Sequence, residues 1–171
     1  MSIAAPLQTI SVGVVVERTK GVTQWSEFAW RAVSVLAGAP ETPPWTKLSD
    51  DGVRATYYAG TAEVELYRTE TTYYRNNLES GTPALWVALR AADGESPYSI
   101  AAVTADPAEG ESLTETATDM VEQVPMPEAI QQVLTAFIVE HHVEQTFTKR
   151  ERDRADPEAL ARRGPTGEDR S

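Results

Sequence analysis

Residues 61–68 read Thr-Ala-Glu-Val-Glu-Leu-Tyr-Arg, the cleanest two-residue alternation in the chain. Successive side chains of a strand point to opposite faces, so Ala62, Val64 and Leu66 turn to a core while Glu63, Glu65 and Tyr67 turn outward. Upstream, Trp45 to Leu48 and Val53 to Tyr58 flank Asp50-Asp51-Gly52, a strong hairpin signal, and Ala59-Gly60 reads as a second turn. Short strands joined by tight turns imply an antiparallel meander.

Farther upstream, Ala29 to Leu36 is a strand candidate ended by Gly38, Pro40, Pro43 and Pro44, since proline removes ladder donors. Gln8 to Arg18 is rich in Val and Ile and reads as a strand buried on both faces. Gly13 within it marks a bulge or a close backbone approach. Thr19 to Gly21 reads as a turn.

Downstream, Thr69 to Glu79 fits a short helix closed by Ser80-Gly81. Strands follow at Ala84 to Arg90 and Tyr98 to Ala105, with a turn at Asp93-Gly94. Asp106 to Glu111 reads as an acidic, turn-rich loop, and Leu113 to Gln123 as a short helix. A firmer helix starts at Pro127, where proline suits the first turn and Glu128 complements the helix dipole. Its stripe of Ile130, Val133, Leu134, Phe137, Ile138 and His141 is expected to pack on a sheet face. Beyond Phe147, Asp156-Pro157 would cap a two-turn helix ending at Gly164, marginal alone in water.

The expectation is therefore an α+β protein: an antiparallel meander of about six to eight strands packed by a C-terminal amphipathic helix. Residues 1–7 form a loose leader, 8–147 a single domain and 148–171 a charged, partly disordered tail.

Charge is unevenly spread. From Ala91 to Thr148 there is no Lys or Arg but eleven carboxylates, whereas the tail from Lys149 carries seven bases and six acids. The isoelectric point near 4.6 argues against nucleic acid or an anionic membrane as partner. With no cysteine, disulfides, thiolate metal sites and thiol catalysis are excluded. The first charge is Glu17, so the basic start of a signal peptide is missing, and Ile10 to Val16 is too short to span a bilayer. A cytoplasmic protein is expected.

No catalytic motif stands out. His141, His142 and Glu144 offer metal-ligand types at helical spacing, but a metal site needs further ligands across a bundle and the chain has two histidines. His141 ending the core stripe is the simpler reading. Asp106, Glu109 and Glu111 lack the spacing of a twelve-residue calcium loop and read as a solvated acidic loop. There is no P-loop, dinucleotide fingerprint or nucleophile elbow. Trp25, Phe28, Trp30 and Trp45, then Tyr57, Tyr58, Tyr67, Tyr73, Tyr74, Trp86 and Tyr98, either fill the core or leave a few rings as an exposed patch. Hence no catalytic, metal or cofactor residue is assigned. Partner contacts are expected at Lys149, Arg150, Arg152 and Arg154 in the tail and at Asp106, Glu109 and Glu111 in the acidic middle.

Several segments together resemble a proteobacterial family of unknown function whose genes commonly sit beside formate dehydrogenase genes. They are Val12-Gly13-Val14-Val15-Val16-Glu17-Arg18, Pro44-Trp45, Tyr58-Ala59-Gly60, Arg68-Thr69-Glu70-Thr71 and Leu85-Trp86-Val87, then Val103-Thr104-Ala105-Asp106-Pro107, Val124-Pro125-Met126-Pro127 and His141-His142-Val143-Glu144, and finally Lys149-Arg150 with Arg152 and Arg154. The resemblance implies a non-catalytic accessory role in maturation or assembly of a molybdenum or tungsten formate dehydrogenase, by binding one of its subunits or a maturation factor. Some relatives carry the label of molybdopterin-guanine dinucleotide biosynthesis, which implies the alternative of an enzyme or small-ligand protein of that pathway. Such a nucleotidyltransferase opens with a glycine-rich loop after its first strand; here that strand runs into Glu17-Arg18-Thr19-Lys20-Gly21, with one glycine.

Overall fold

The computed structural model describes residues 5–21 and 28–142. It contains β1 (Gln8–Thr19), β2 (Ala29–Ala37), β3 (Thr46–Asp50) and β4 (Arg54–Leu66), then a 3-10 turn (Arg68–Glu70) leading into α1 (Thr71–Leu78). β5 (Ala84–Ala91), β6 (Tyr98–Thr104), α2 (Pro107–Thr114) and β7 (Asp119–Pro125) follow. Residues 128–142 are helical and are designated α3. The fold class is α+β. Instead of one meander, the strands form two antiparallel sheets, ordered β2-β1-β4-β3 and β6-β5-β7. The reason lies in β1, whose five consecutive buried residues Val12–Val16 demand a central position and take β2 on one side and β4 on the other.

β4 runs unbroken through Ala59-Gly60, where the sequence reads as a turn. Gly60 adopts φ +136°, and the register with β1 skips Ala59, pairing Val14 with Gly60 and Val15 with Tyr58. The glycine thus makes a bulge that bends one long strand, a use of positive φ that needs no chain reversal. Beyond the bend Val64 and Leu66 are fully buried while Glu63 and Glu65 line the opposite face, as their alternation requires.

The stretch expected as an acidic loop is α2. Asp106 is its N-cap, accepting from the Ala108 and Glu109 amides at 2.9 and 3.4 Å, and Pro107 occupies the first turn. The stretch expected as a helix over Leu113 to Gln123 instead holds the end of α2 and most of β7, drawn into strand by seven-residue pairing with β5 from Arg90–Asp119 to Ala84–Pro125.

One core joins the layers: Val12, Val14 and Val16 of β1, Val64 and Leu66 of β4, Leu85, Val87 and Leu89 of β5, and Tyr74 of α1. Ile130, Leu134, Phe137 and Ile138 of α3 are buried in it too, Phe137 lying 6.1 Å from the Tyr74 ring. Two glycines permit close approach. A Cβ on Gly13 would sit 2.7 Å from Tyr58 Cε1, and one on Gly110 would overlap the Trp86 ring, 2.6 Å from Cδ1. Gly13 therefore lets Tyr58 lie across β1, and Gly110 seats α2 on β5.

α1 is fixed by buried polar contacts. Asn77 Nδ2 donates to Ala84 O at 2.8 Å and Ala105 O at 2.9 Å, while its Oδ1 accepts from the Ala84 amide at 3.0 Å. The Tyr74 hydroxyl accepts from the Tyr67 amide at 2.9 Å, and His142 Nδ1 lies 3.0 Å from Thr71 Oγ1. No helix among the described residues is long and apolar enough to cross a membrane.

Candidate functional site

β3 pairs with β4 only over Ala55–Tyr58, which leaves the far half of β4 paired on one side, with β1. Its other side approaches β6, itself the edge of the second sheet, and among the described residues no ladder joins the two. Side chains project around this seam at two-residue intervals. A hollow of about 170 Å³ is lined by Glu63, Glu65 and Tyr67 from one side and Ala101–Thr104 with Glu109 from the other. A second hollow of about 470 Å³ shares Tyr67 and Glu109 and adds Thr69, Glu70, Tyr74, Asp106, Ala108 and Ser112. Together they form one acidic groove with no Lys or Arg among the described residues that line it.

Hydrogen bonds hold the groove's carboxylates in place. Tyr67 donates its hydroxyl to Glu65 Oε1 at 2.5 Å, Thr104 donates to Glu109 Oε1 at 2.7 Å, and Ser11 donates to Glu63 Oε2 at 2.6 Å. The bond to Glu65, more than burial, pushes the Tyr67 phenol up to about 12, so it stays protonated at neutral pH. Burial raises the Asp106 carboxyl above the usual carboxylate range despite the two amides it accepts from. These groups present acceptors to a visitor, the chemistry that receives lysine and arginine side chains. Among the described residues no group of three or more His, Asp or Glu is arranged to hold a metal ion.

The sequence-based contact residues separate here. Glu109 lines both hollows and Asp106 one, although Asp106 is 7% exposed and occupied in capping α2. Glu111 is exposed on α2 and lines neither. Glu63, Glu65 and Glu70, which line the groove with Glu109, had no signal beyond being the outward members of an alternating strand and its sequel. Lys149, Arg150, Arg152 and Arg154 lie outside the described residues, as does Glu144 of the histidine cluster. His141 packs on Phe137 at 4.5 Å between ring centroids.

A further hollow of about 510 Å³ opens at the other end of β4, lined by Trp30, Trp45 and Tyr57 and by the loop Ala92, Gly94–Pro97.

Two antiparallel sheets meeting at an acidic seam define a small α+β protein with an open acidic groove. Residues 11–151 match the family model described as protein of unknown function (DUF3305), and the chain belongs to that family. No curated protein matches it, and no solved structure does.

Proposed function

We propose that this protein is a non-catalytic accessory factor that binds a protein partner through the seam between β4 and β6. The carrying observation is the groove itself: Glu63, Glu65, Glu70 and Glu109 line two adjoining hollows with no cation among the described residues that line them. A basic segment of a partner fits that surface, and opposite charge sets orientation and on-rate. The family resemblance supplies the partner's context: a subunit of a molybdenum or tungsten formate dehydrogenase, or its maturation factor, in the cytoplasm. Lys149, Arg150, Arg152 and Arg154 then add salt-sensitive contacts from the tail.

The reading as an enzyme or ligand-binding protein of molybdenum-cofactor biosynthesis ranks second. It asks for a pocket lined by tyrosines and by Arg68 or Arg75. Tyr67 and Tyr74 do line a hollow, but its charged members are Glu70, Asp106 and Glu109, which repel phosphate. Arg75 lies 3.8 Å from Glu79 on the surface of α1.

Co-purification of a tagged copy at native level, from its own host grown on formate with molybdate, tests the proposal. Recovery of an immature formate dehydrogenase subunit or a cofactor-insertion protein supports it. Recovery of neither, at low and moderate salt, together with a melting-temperature rise on adding pterin or nucleotide, favours the second reading.

A further inference from the structure

The four glutamates that line the acidic groove are held in place without being neutralised. Ser11, Tyr67, Thr69 and Thr104 donate hydroxyl hydrogens to Glu63, Glu65, Glu70 and Glu109, at 2.6, 2.5, 2.9 and 2.7 Å. Among the described residues no Lys, Arg or His forms an ion pair with any of the four. A neutral donor occupies one lone pair and leaves the charge, so each carboxylate keeps room for a guanidinium. Glu63 and Glu65 stand two residues apart on β4, an interval of about 6.5–7 Å along an extended chain.

The chain itself carries a matching segment. Residues 149–154 read Lys-Arg-Glu-Arg-Asp-Arg. On an extended backbone Arg150, Arg152 and Arg154 fall on one face, and Glu151 and Asp153 on the other. A helix would instead set Arg150 beside Asp153 and Glu151 beside Arg154, mixing the signs. One extended face therefore presents three guanidiniums at the same interval at which β4 presents Glu63 and Glu65.

Position favours the same occupant. His142, the last described residue, lies against α1, its Nδ1 3.0 Å from Thr71 Oγ1. Thr71 directly follows Thr69 and Glu70, both on the wall of the larger hollow. The chain thus leaves the described body beside the groove. The eight residues from His142 to Arg150 span up to about 26–29 Å when extended. The strand from Glu63 to Tyr67 covers only about 13 Å, so the segment reaches along the groove. A segment tethered this closely has an effective concentration on the order of millimolar, and individually weak surface pairs then suffice for substantial occupancy.

We propose that Lys149–Arg154 docks as an extended segment along its own chain's acidic groove, with Arg150, Arg152 and Arg154 on the carboxylates, and holds the site until a partner's basic segment displaces it. The regulatory half of this rests on the partner-binding reading of the seam; the intramolecular contact does not. Displacement frees the same arginines to contact the partner.

Two measurements on the full chain test this. The chain has no cysteine of its own, so Ala155→Cys gives a single site for a nitroxide label. At about 20 mM salt the label is expected to broaden the amide NMR signals of Glu63, Glu65 and Glu109, and about 0.5 M salt should remove the broadening. Replacing Arg150, Arg152 and Arg154 together by glutamine should remove it too. A mixture of labelled chains with isotope-enriched unlabelled chains should show none, because the contact is within one molecule. The second measurement is titration with an acetylated, amidated peptide of the sequence Phe147–Asp156. It should bind the arginine-to-glutamine variant at least about 5-fold more tightly than the native chain, the ratio expected if the docked segment leaves about one-fifth of grooves open. Absence of broadening at low salt, broadening that survives salt or the variant, broadening that persists in the mixture, or equal peptide affinity overturns the proposal. No partner protein enters either measurement, so failure of the partner-binding reading would leave both results standing.

Discussion

Replacement of Asn77 by aspartate probes the contact that locks α1 to both sheet termini. In the native protein the Asn77 amide gives two hydrogens, to Ala84 O and Ala105 O, and receives one, from the Ala84 amide. Asn77, Ala84 and Ala105 are all buried, at 4%, 4% and 1% exposure, so water does not replace a lost partner. Truncation to alanine orphans three backbone groups at about 1–3 kcal/mol each, roughly 3–9 kcal/mol together. That is a large share of the ~5–15 kcal/mol that holds a domain folded. Aspartate keeps the acceptor but turns a charged oxygen toward two carbonyl oxygens, so at neutral pH it should cost at least as much as alanine. Protonation restores one donor. The folded-state pKa of the new carboxyl is therefore raised, and the stability it contributes is present below the unfolded value near 3.9 and lost as pH rises through the folded one. Urea unfolding between pH 4 and 8 reads both effects: the Asn77→Asp variant should fall far below the native chain at pH 7, and the gap should narrow toward pH 4. A variant within about 1 kcal/mol of the native chain at pH 7, or a gap that does not move with pH, would refute the reasoning.

Other substitutions follow from the same packing. Gly110→Ala gains about 1 kcal/mol of helix propensity but drives a Cβ into the Trp86 ring; an overpacking cost of about 1–3 kcal/mol or more should win, lowering Tm by calorimetry, and Trp86→Leu should relieve it. Asp106→Ala should cost about 1 kcal/mol as a lost N-cap, whereas Asp106→Asn keeps both amide contacts. Because burial raises the Asp106 carboxyl, the native chain should lose stability as pH climbs from about 4 through that raised value, and the Asn variant should lack this component in urea midpoints. Tyr58→Phe removes a buried hydroxyl that has no hydrogen-bond partner among the described residues, so its denaturation midpoint should hold or rise.

What the sequence disclosed was what local periodicity encodes. The alternation of residues 61–68, the buried run of β1, the close approach at Gly13 and the stripe Ile130, Leu134, Phe137 and Ile138 were all legible. What it concealed depends on partners distant in the chain. Asp106-Pro107 has turn chemistry and N-cap chemistry at once, and packing of α2 through Gly110 onto Trp86 decides between them. Asp119–Pro125 has no strong period of its own and becomes a strand because β5 offers an edge. The paired sheets escape a local reading because Ala59-Gly60 signals a turn as readily as the bulge it forms. The same limit governs the candidate sites. Carboxylates far apart in the chain, Glu63 and Glu65 against Glu109, meet only once β4 and β6 are side by side. The left-handed backbone of Trp45 has no sequence signal at all.

The central claim is partner capture by the acidic seam, and its most direct test is a binding titration of the purified protein against an immature formate dehydrogenase subunit. Native chain and a Glu63→Gln, Glu65→Gln, Glu109→Gln variant would be compared across a series of salt concentrations. The account predicts tight binding that weakens with salt, and at least about 10-fold weaker binding in the variant at low salt. Equal affinity of the two chains, or no binding of the native one, would contradict it.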